Sequence, residues 1–253
     1  MADVYPEIGT TDGNGWLKSQ GGYVYLTAEE MAEVDRMSIE DFGIDVLSLM
    51  ENAGVRTAEL ARRMLGGSPL GKDVYCLVGR GNNGGDGLVA ARHLHDWGAR
   101  VTVMLGQRRE ELREIPAKQL VAVEKIGAVV AGPDVDLGSG DLVIDALLGY
   151  GSRGDPREPT ASLITWANST RIRTLAVDIP SGLDATTGEP GNPCINASAT
   201  LTFGLPKTGF LNPRAKEFLG ELYLADISLP RQIYSSYSME SDIFSSNPVL
   251  RIW

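Results

Sequence analysis

Four polar residues of the chain carry oxygen atoms that are suited to binding a cation. Asp145 and Asp178 each close a short apolar run, and Asn83 lies in a segment that follows a third run. Ser181 comes three residues after Asp178. Such a set of oxygen ligands with few carboxylates favours a hard, weakly held monovalent ion. Taken singly, Asp145 is also consistent with a helix cap, and Ser181 with a turn hydroxyl.

A glycine-rich segment, GRGNNGGDG, occupies residues 79–87 between an apolar run and a helical pattern. Glycines let backbone approach a ligand closely, and a helix start presents free N–H groups, so the segment predicts a phosphate site. It also fits the dinucleotide fingerprint G-x-G-x-x-G, which leaves an NADP-linked oxidoreductase open. Against that reading, the next apolar run does not end in an acidic residue, although Arg108 or Arg109 would suit a 2′-phosphate. A plain connecting turn is the remaining alternative.

Two further features belong with this chemistry. Residues 149–155, GYGSRGD, form a second glycine-rich segment that would close over a ligand held by the first. Lys207 follows another apolar run, where its ammonium would meet a phosphate or a carboxylate, or would simply be solvated. His93 and His95 lie about 200° apart around a helix and do not share a metal as an i,i+4 pair does.

Composition excludes several classes of function. The 253 residues include 33 acidic and 23 basic ones, for a net charge of -10, which disfavours nucleic acid and anionic lipid as partners. The two cysteines, Cys76 and Cys194, do not make a disulfide framework and fit a reducing, cytoplasmic setting. No stretch approaches the ~20 apolar residues of a membrane helix, and the N-terminus lacks the pattern of a signal peptide.

The elements that would position these residues alternate between strand and helix patterns. Thr27 and Glu30 form a capping-box pattern for a first helix to about Asp41, and a second helix is predicted over 45–65. Strands are predicted over 74–78, 101–105, 128–131, 142–145, 175–178, 199–203 and 221–225, and helices over 88–97, 116–126, 160–169 and 214–219. The alternation predicts an α/β fold: a single Rossmann-like, doubly wound, mostly parallel sheet with helices on both faces and two extra N-terminal helices.

Domain limits follow from composition. Residues 1–22 are rich in Gly, Thr and Asp without periodicity and are predicted to be a flexible arm. Residues 231–253 are Ser-rich with scattered aromatics and are predicted to be an irregular tail. One domain over 23–230 lies between them.

Four ordered motifs resemble the NAD(P)H-hydrate epimerase family, also known as the YjeF N-terminal domain. They are the segments at 78–94, 145–155, 176–188 and 200–209, and the ENAG segment at 51–54 is similar too. The resemblance implies an isomerase of nicotinamide cofactor repair that interconverts the R and S epimers of hydrated NADH and NADPH. A noncatalytic binding or dimerisation module of the same family is the alternative.

The resemblance also implies the site residues. Its substrate-binding positions fall on Asn82, Asn83, Gly84, Gly85, Asp86, Gly149, Tyr150, Gly151, Ser152, Arg153, Gly154, Asp155 and Asp178. One potassium ion per subunit would be held by Asn83, Asp145 and Ser181. We expect Asp178 to handle the proton and stabilise the cation formed when the C6 hydroxyl leaves, and Lys207 to hold phosphate or orient the nicotinamide. The expected partners are a second copy of the chain, as a homodimer, and a separate dehydratase acting on the same metabolite.

Overall fold

The computed structural model describes residues 17–18, 23–132, 138–237 and 242–253. Runs of apolar residues form the strands of a nine-stranded sheet. The strands are Leu17–Lys18 (β1), Asp73–Val78 (β2), Arg100–Leu105 (β3), Val129–Ala131 (β4), Leu142–Ala146 (β5), Thr174–Val177 (β6), Ala199–Phe203 (β7), Glu221–Ala225 (β8) and Val249–Arg251 (β9). The α-helices are Ala28–Arg36 (α1), Val46–Met64 (α2), Asn82–Asp96 (α3), Glu114–Lys125 (α4), Thr160–Ser169 (α5), Lys216–Leu219 (α6) and Arg231–Ser236 (α7). Within the described ranges, no helix combines the length and apolarity needed to cross a bilayer.

The strand order places a crevice at the centre of the sheet. The order is β1-β9-β8-β7-β6-β5-β2-β3-β4, and the described strand pairs are parallel apart from β8 with β9. The chain winds outward from β2 through β3 to β4 and then returns to place β5 on the other side of β2. Connections that leave neighbouring strands in opposite directions open a ligand crevice at the carboxyl ends of those strands.

Helices cover both faces of the sheet, as the alternation of side chains on β2 shows. Val74, Cys76 and Val78 are buried in one apolar cluster with residues of α2, α3 and α4. Tyr75 and Leu77 are buried in a second cluster with residues of α5. Because successive strand residues point to opposite faces, these two clusters lie on opposite sides of the sheet. The predicted doubly wound α/β fold is confirmed.

The two N-terminal helices begin where their caps predict. The Thr27 hydroxyl accepts a hydrogen bond from Glu30 N at 3.2 Å, and the Glu30 carboxylate accepts one from Thr27 N at 2.8 Å. After α1 the chain continues as a π-helical segment to Asp41, which matches the predicted end of the first helix. Asp45 caps α2 by accepting from Leu47 N at 2.8 Å.

Helix α3 begins at Asn82, six residues before the predicted start at Leu88. Glycine is a poor helix former, so the sequence pattern there indicates a turn. Packing explains the difference. A Cβ on Gly84 would lie 2.0 Å from the Gly79 carbonyl oxygen, and one on Gly85 would lie 2.4 Å from the Met50 side chain. These glycines let the first turns of α3 pack directly on β2's loop and on α2.

The predicted irregular tail over 231–253 is wrong where the structure describes it. Residues of the tail form α7 and the strand β9, which pairs antiparallel to β8 with Leu250 opposite Leu224. Val249 and Leu250 are buried in this pairing, although the segment around them is rich in serine. Within the predicted arm, Leu17–Lys18 pairs with β9, and the rest of residues 1–22 lies outside the described ranges.

Candidate active site

A cavity of about 540 Å³ lies at the carboxyl ends of the central strands. This volume is typical of a small-molecule site, for which the range is about 300 to 1,000 Å³. Its lining comes from α1, α2, the start of α3, and the loops that follow β2, β5 and β6. Met31, Leu49 and Met50 supply an apolar wall opposite the polar loops. The fold therefore brings together segments that are far apart in sequence.

Most of the predicted substrate-binding residues line this cavity, and five do not. The lining members are Asn82, Asn83, Asp86, Gly149, Tyr150, Gly151, Ser152 and Asp178. Gly84 and Gly85 lie in the first turn of α3 and are packed against Gly79 and Met50 instead. Arg153 lies outside the cavity lining and pairs with Glu29 at 3.1 Å. Gly154 and Asp155 line a smaller neighbouring pocket of about 210 Å³.

Asp145 and Ser181 meet because β5 and β6 are neighbouring strands. Asp145, fully buried on β5, accepts hydrogen bonds from Ser181 Oγ at 2.6 Å and from Ser181 N at 2.8 Å. Ser181 Oγ in turn accepts from Leu148 N at 2.9 Å. Burial raises the pKa of Asp145 to about 6 although its bonds to Ser181 oppose the rise. A carboxylate buried this deeply would be stabilised by a cation.

Asn83 is the third member of the predicted cation set and joins the same network. Its Nδ2 donates to the Leu148 carbonyl at 3.1 Å. Its Oδ1 is buried and has no hydrogen-bond partner among the described residues. A buried acceptor without a donor is costly, so this oxygen fits a bound cation or water. Within the same ranges, no group of three or more His, Cys, Asp and Glu side chains is placed to hold a metal, which leaves this mixed oxygen set.

Asp178 and Lys207 form a buried ion pair on the side of β6 and β7. Lys207 is 0% exposed, and its ammonium donates to Asp178 Oδ1 and, at 2.7 Å, to Thr202 Oγ1. The same Asp178 oxygen accepts from Phe203 N at 3.4 Å. Of the partners that the sequence predicts for Lys207, a phosphate or a carboxylate, the structure has the carboxylate, and the ammonium does not reach the cavity. Any effect of Lys207 on a ligand in the cavity would therefore pass through Asp178.

Asp178 itself has an unusual backbone conformation. Its φ is +65°, in the left-handed region that non-glycine residues rarely adopt. Its N–H donates to the Leu201 carbonyl on β7 at 2.8 Å, which fixes the turn that leaves β6. Strained backbone at the end of a strand is typical of sites where a side chain must be aimed at a ligand.

Two further carboxyl groups, on Asp35 and Asp86, line the cavity beside Asp178. Desolvation raises the pKa of Asp86 well above its usual range, and the charges of Asp178 and Asp35 add to the rise. Desolvation also raises the pKa of Asp35, although the Tyr150 hydroxyl, which donates to Asp35 Oδ2 at 2.6 Å, opposes the rise. The sequence motifs did not include Asp35. Its one signal is its position four residues after Met31, on the same face of α1.

The rim of the cavity carries two arginines, Arg80 and Arg113, whose side chains are exposed. A hydrogen bond of 3.0 Å from Arg113 N to the Arg80 carbonyl holds the two segments together. Arg108 and Arg109, which the sequence offered for a 2′-phosphate, do not line the cavity and are paired with glutamates. The cationic groups at this rim are therefore Arg80 and Arg113.

Comparison with known proteins gives consistent results. A sequence model of the family described as YjeF-related protein N-terminus matches residues 46–209. An NAD(P)H-hydrate epimerase from Dehalogenimonas lykanthroporepellens is 38% identical over 85% of this chain and 86% of its own length. One from Rhodopirellula baltica is 36% identical over 85% of this chain and 88% of its own length.

Two other similarities differ in scope. The bifunctional NAD(P)H-hydrate repair enzyme Nnr of Moorella thermoacetica is 38% identical over 83% of this chain, which spans 42% of that enzyme. The crystal structure of yeast ynu0 has a TM-score of 0.77 and covers 90% of this chain and 100% of the yeast chain. At 23% identity, that likeness supports the fold alone.

Proposed function

Because the chain belongs to the family of YjeF-related N-terminal domains, we propose that it is an NAD(P)H-hydrate epimerase that interconverts the R and S epimers of hydrated NADH and NADPH. The observation that carries the proposal is that the matched segments converge on one cavity. Asn83 at the start of α3, Tyr150 in the loop after β5 and Asp178 in the turn after β6 line the same space. The cavity contains the start of helix α3, whose free N–H groups suit a phosphate, and it also contains carboxyl groups. The proposed substrate requires both.

The phosphates of the substrate would bind at the rim. Gly81 directly precedes helix α3 and has no side chain to cap it, so the N–H groups of the first turn are available to an anion. Arg80 and Arg113 add two positive charges beside that helix start. An anionic dinucleotide would therefore lie across the rim with its hydrated ring pointing inward, toward Asp178.

The chemistry in the interior is the reversible loss and gain of water at C6 of the ring. The lone pair on the ring nitrogen helps to expel the C6 hydroxyl and gives an iminium-like cation, which water then attacks from the other face. Asp178 would stabilise this cation, because its pair with Lys207 holds the carboxylate in place and only 5% of the residue is exposed.

We infer a potassium site at Asn83, Asp145 and Ser181. The unpartnered Asn83 Oδ1 and the fully buried Asp145 support it, since one formal carboxylate among neutral oxygens suits a monovalent ion. A bound potassium ion would neutralise Asp145 and hold the loops after β2 and β5 together. The thermal midpoint should therefore rise more in KCl than in tetramethylammonium chloride at equal ionic strength. An equal rise in both salts would reject the site.

The epimerase activity is tested directly by chromatography of the two epimers. The protein is incubated with the purified R epimer of hydrated NADPH, and separately with the S epimer. Both reactions should approach the same R to S ratio faster than a protein-free control, with no change in redox state. A ratio that moves no faster than the control would favour the noncatalytic module, and a change in nicotinamide absorbance with a reducible substrate would favour an oxidoreductase.

The partners and setting follow the same proposal. A dehydratase activity acting on the same metabolite would complete the repair, and a second copy of the chain would form a homodimer, as the family resemblance suggests. Both cysteines are buried and unpaired, which supports a cytoplasmic setting. Sedimentation equilibrium tests the oligomeric state, and a monomer mass at micromolar concentration would reject the dimer.

A further inference from the structure

The proposed reaction needs a proton donor, and the ion pair of Asp178 makes it poorly suited to that role. The C6 hydroxyl is a poor leaving group unless it is protonated as it departs. Asp178 Oδ1 already accepts from the Lys207 ammonium and from Phe203 N. These donors stabilise the charged carboxylate, which suits Asp178 to stabilising a cation. The other carboxyl groups of the cavity are therefore the better candidates for the acid.

Asp35 and Asp86 are the cavity carboxyls whose surroundings disfavour the charged form. Both have pKa values raised first by desolvation and then by neighbouring carboxylates. A site with carboxyl groups in contrasting environments commonly divides acid and charge-stabilising roles between them. The two candidates differ in how they are held.

A side-chain hydrogen bond holds Asp35 in position. The Tyr150 hydroxyl donates to Asp35 Oδ2 at 2.6 Å, and Tyr150 belongs to the glycine-rich loop on the far side of the cavity. Among the described residues, the hydrogen-bond partner of the Asp35 carboxyl is Tyr150, at Oδ2, so Oδ1 is available to a ligand in the cavity. Among the described residues, no side chain donates a hydrogen bond to the Asp86 carboxyl as Tyr150 does to Asp35. A general acid must be oriented toward the atom it protonates, which favours Asp35.

We propose that Asp35 is the general acid of the epimerisation and that Tyr150 positions it, an inference that rests on the proposed function of the same cavity. The Asp35 carboxyl gives its proton to the C6 hydroxyl. The C6–O bond breaks and water leaves, while the lone pair of the ring nitrogen forms the C=N bond of the iminium.

In the second half of the reaction, water adds to C6 from the other face and the electron pair returns to the ring nitrogen. The proton that this water releases passes through the cavity to the Asp35 carboxylate. The enzyme and the proton count are thereby restored, and no oxidant or reductant is needed.

The test is the rate of epimer exchange in the full chain as a function of pH. Asp35→Asn should lower the rate by about 10²- to 10⁴-fold, which is the usual contribution of a general acid. The wild-type rate should fall as the pH rises through the pKa of Asp35, and that limb should be missing in Asp35→Asn. The ionisable groups around Asp35 are Tyr150, Asp178 and Lys207, which act on its pKa, and Asp86, whose own pKa Asp35 raises.

Tyr150→Phe supplies a second measurement, which remains valid even if Asp35→Asn fails to fold. The Tyr150 hydrogen bond lowers the pKa of Asp35, so its removal should move the alkaline limb to higher pH. A role for Tyr150 in packing alone would lower the rate without moving the limb. Glu33→Gln is the matched control, because Glu33 lies on the exposed face of the same helix and pairs with Arg36. It should leave both the rate and the profile unchanged.

Three outcomes overturn the inference. One is an Asp35→Asn rate within about threefold of wild type. Another is loss of the alkaline limb in Asp86→Asn but not in Asp35→Asn, which would assign the acid to Asp86. A wild-type chain that does not exchange the epimers at all would remove the proposed function and this inference together. An active wild type with an unaffected Asp35→Asn would remove the inference alone.

Discussion

At the scale of single residues, some polar groups of the site could be predicted from the sequence and others could not. Asp145, Asp178 and Ser181 could be predicted because each ends or follows an apolar run, where a polar group is costly unless it binds something. Asp35 could not, since one acidic residue on an amphipathic helix normally lies in solvent. Lys207 could be placed near an anion, but only the three-dimensional structure shows which one.

The Asp178–Lys207 pair makes a prediction about stability at this scale. Lys207→Met leaves the Asp178 carboxylate buried without its counter-ion, and breaking such a pair costs about 3 to 5 kcal/mol. The free energy of unfolding, measured with urea, should fall by that amount, and epimerisation should be lost with it. Adding Asp178→Asn should restore most of the stability while the activity stays low.

A surface lysine gives the matched control. Lys118→Met removes an exposed pair with Glu114 on one helix face, and such pairs contribute between 0 and about 1 kcal/mol. If Lys207→Met changes the unfolding free energy no more than Lys118→Met does, the buried pair contributes no more to stability than an exposed pair.

At the scale of elements, the sequence predicted strands and helices well and misjudged the start of α3. Hydrophobic runs fix β2 to β8 to within one or two residues, and the Thr27 and Asp45 caps fix the two N-terminal helices. The glycine-rich segment was expected to approach a ligand. Part of it instead approaches the protein itself, because Gly84 and Gly85 are pressed against Gly79 and Met50. Local propensity cannot report a contact made by distant residues.

A prediction for Gly84 follows from this packing. In Gly84→Ala the new Cβ would meet the Gly79 carbonyl oxygen at 2.0 Å, and backbone cannot move aside cheaply. We expect a loss of at least about 1 to 3 kcal/mol in the free energy of unfolding, as for other overpacked sites. Gly151→Ala, where no atom lies within 4 Å of the added Cβ, should change stability by less than about 1 kcal/mol. Equal effects of the two substitutions would contradict this account of α3.

At the scale of the whole molecule, the fold class and its winding could be predicted, whereas the far edge of the sheet could not. Alternating strand and helix patterns imply a doubly wound sheet with a crevice at its carboxyl edge. The edge beyond β8 depends on β9, whose three residues are too few to show a period and lie among serines and aromatics. Val249 and Leu250 are buried because β9 pairs with β8, a contact that the local sequence does not show.

The tail therefore contributes to stability, contrary to what its composition indicates. Leu250 is 3% exposed, and Leu250→Ala should cost about 2 to 5 kcal/mol in the free energy of unfolding. Ser246→Ala, at an exposed position in the same segment, should change it by no more than about 0.5 kcal/mol. Denaturant titration of the two variants distinguishes a docked strand from a loose tail, for which neither substitution would matter.

The position of the crevice between β2 and β5 has a consequence for how the protein loses activity and structure on heating. Many enzymes carry their active residues on peripheral loops that fray before the rest of the molecule melts. Here Asp145 lies on β5, and Asn83 and Asp178 follow β2 and β6, strands that are buried on both faces by two apolar clusters. Asp35 lies on α1, whose Met31 and Val34 are buried in one of these clusters. Heating should therefore not produce an intact but inert intermediate, and catalytic competence and overall order should disappear together in a single transition.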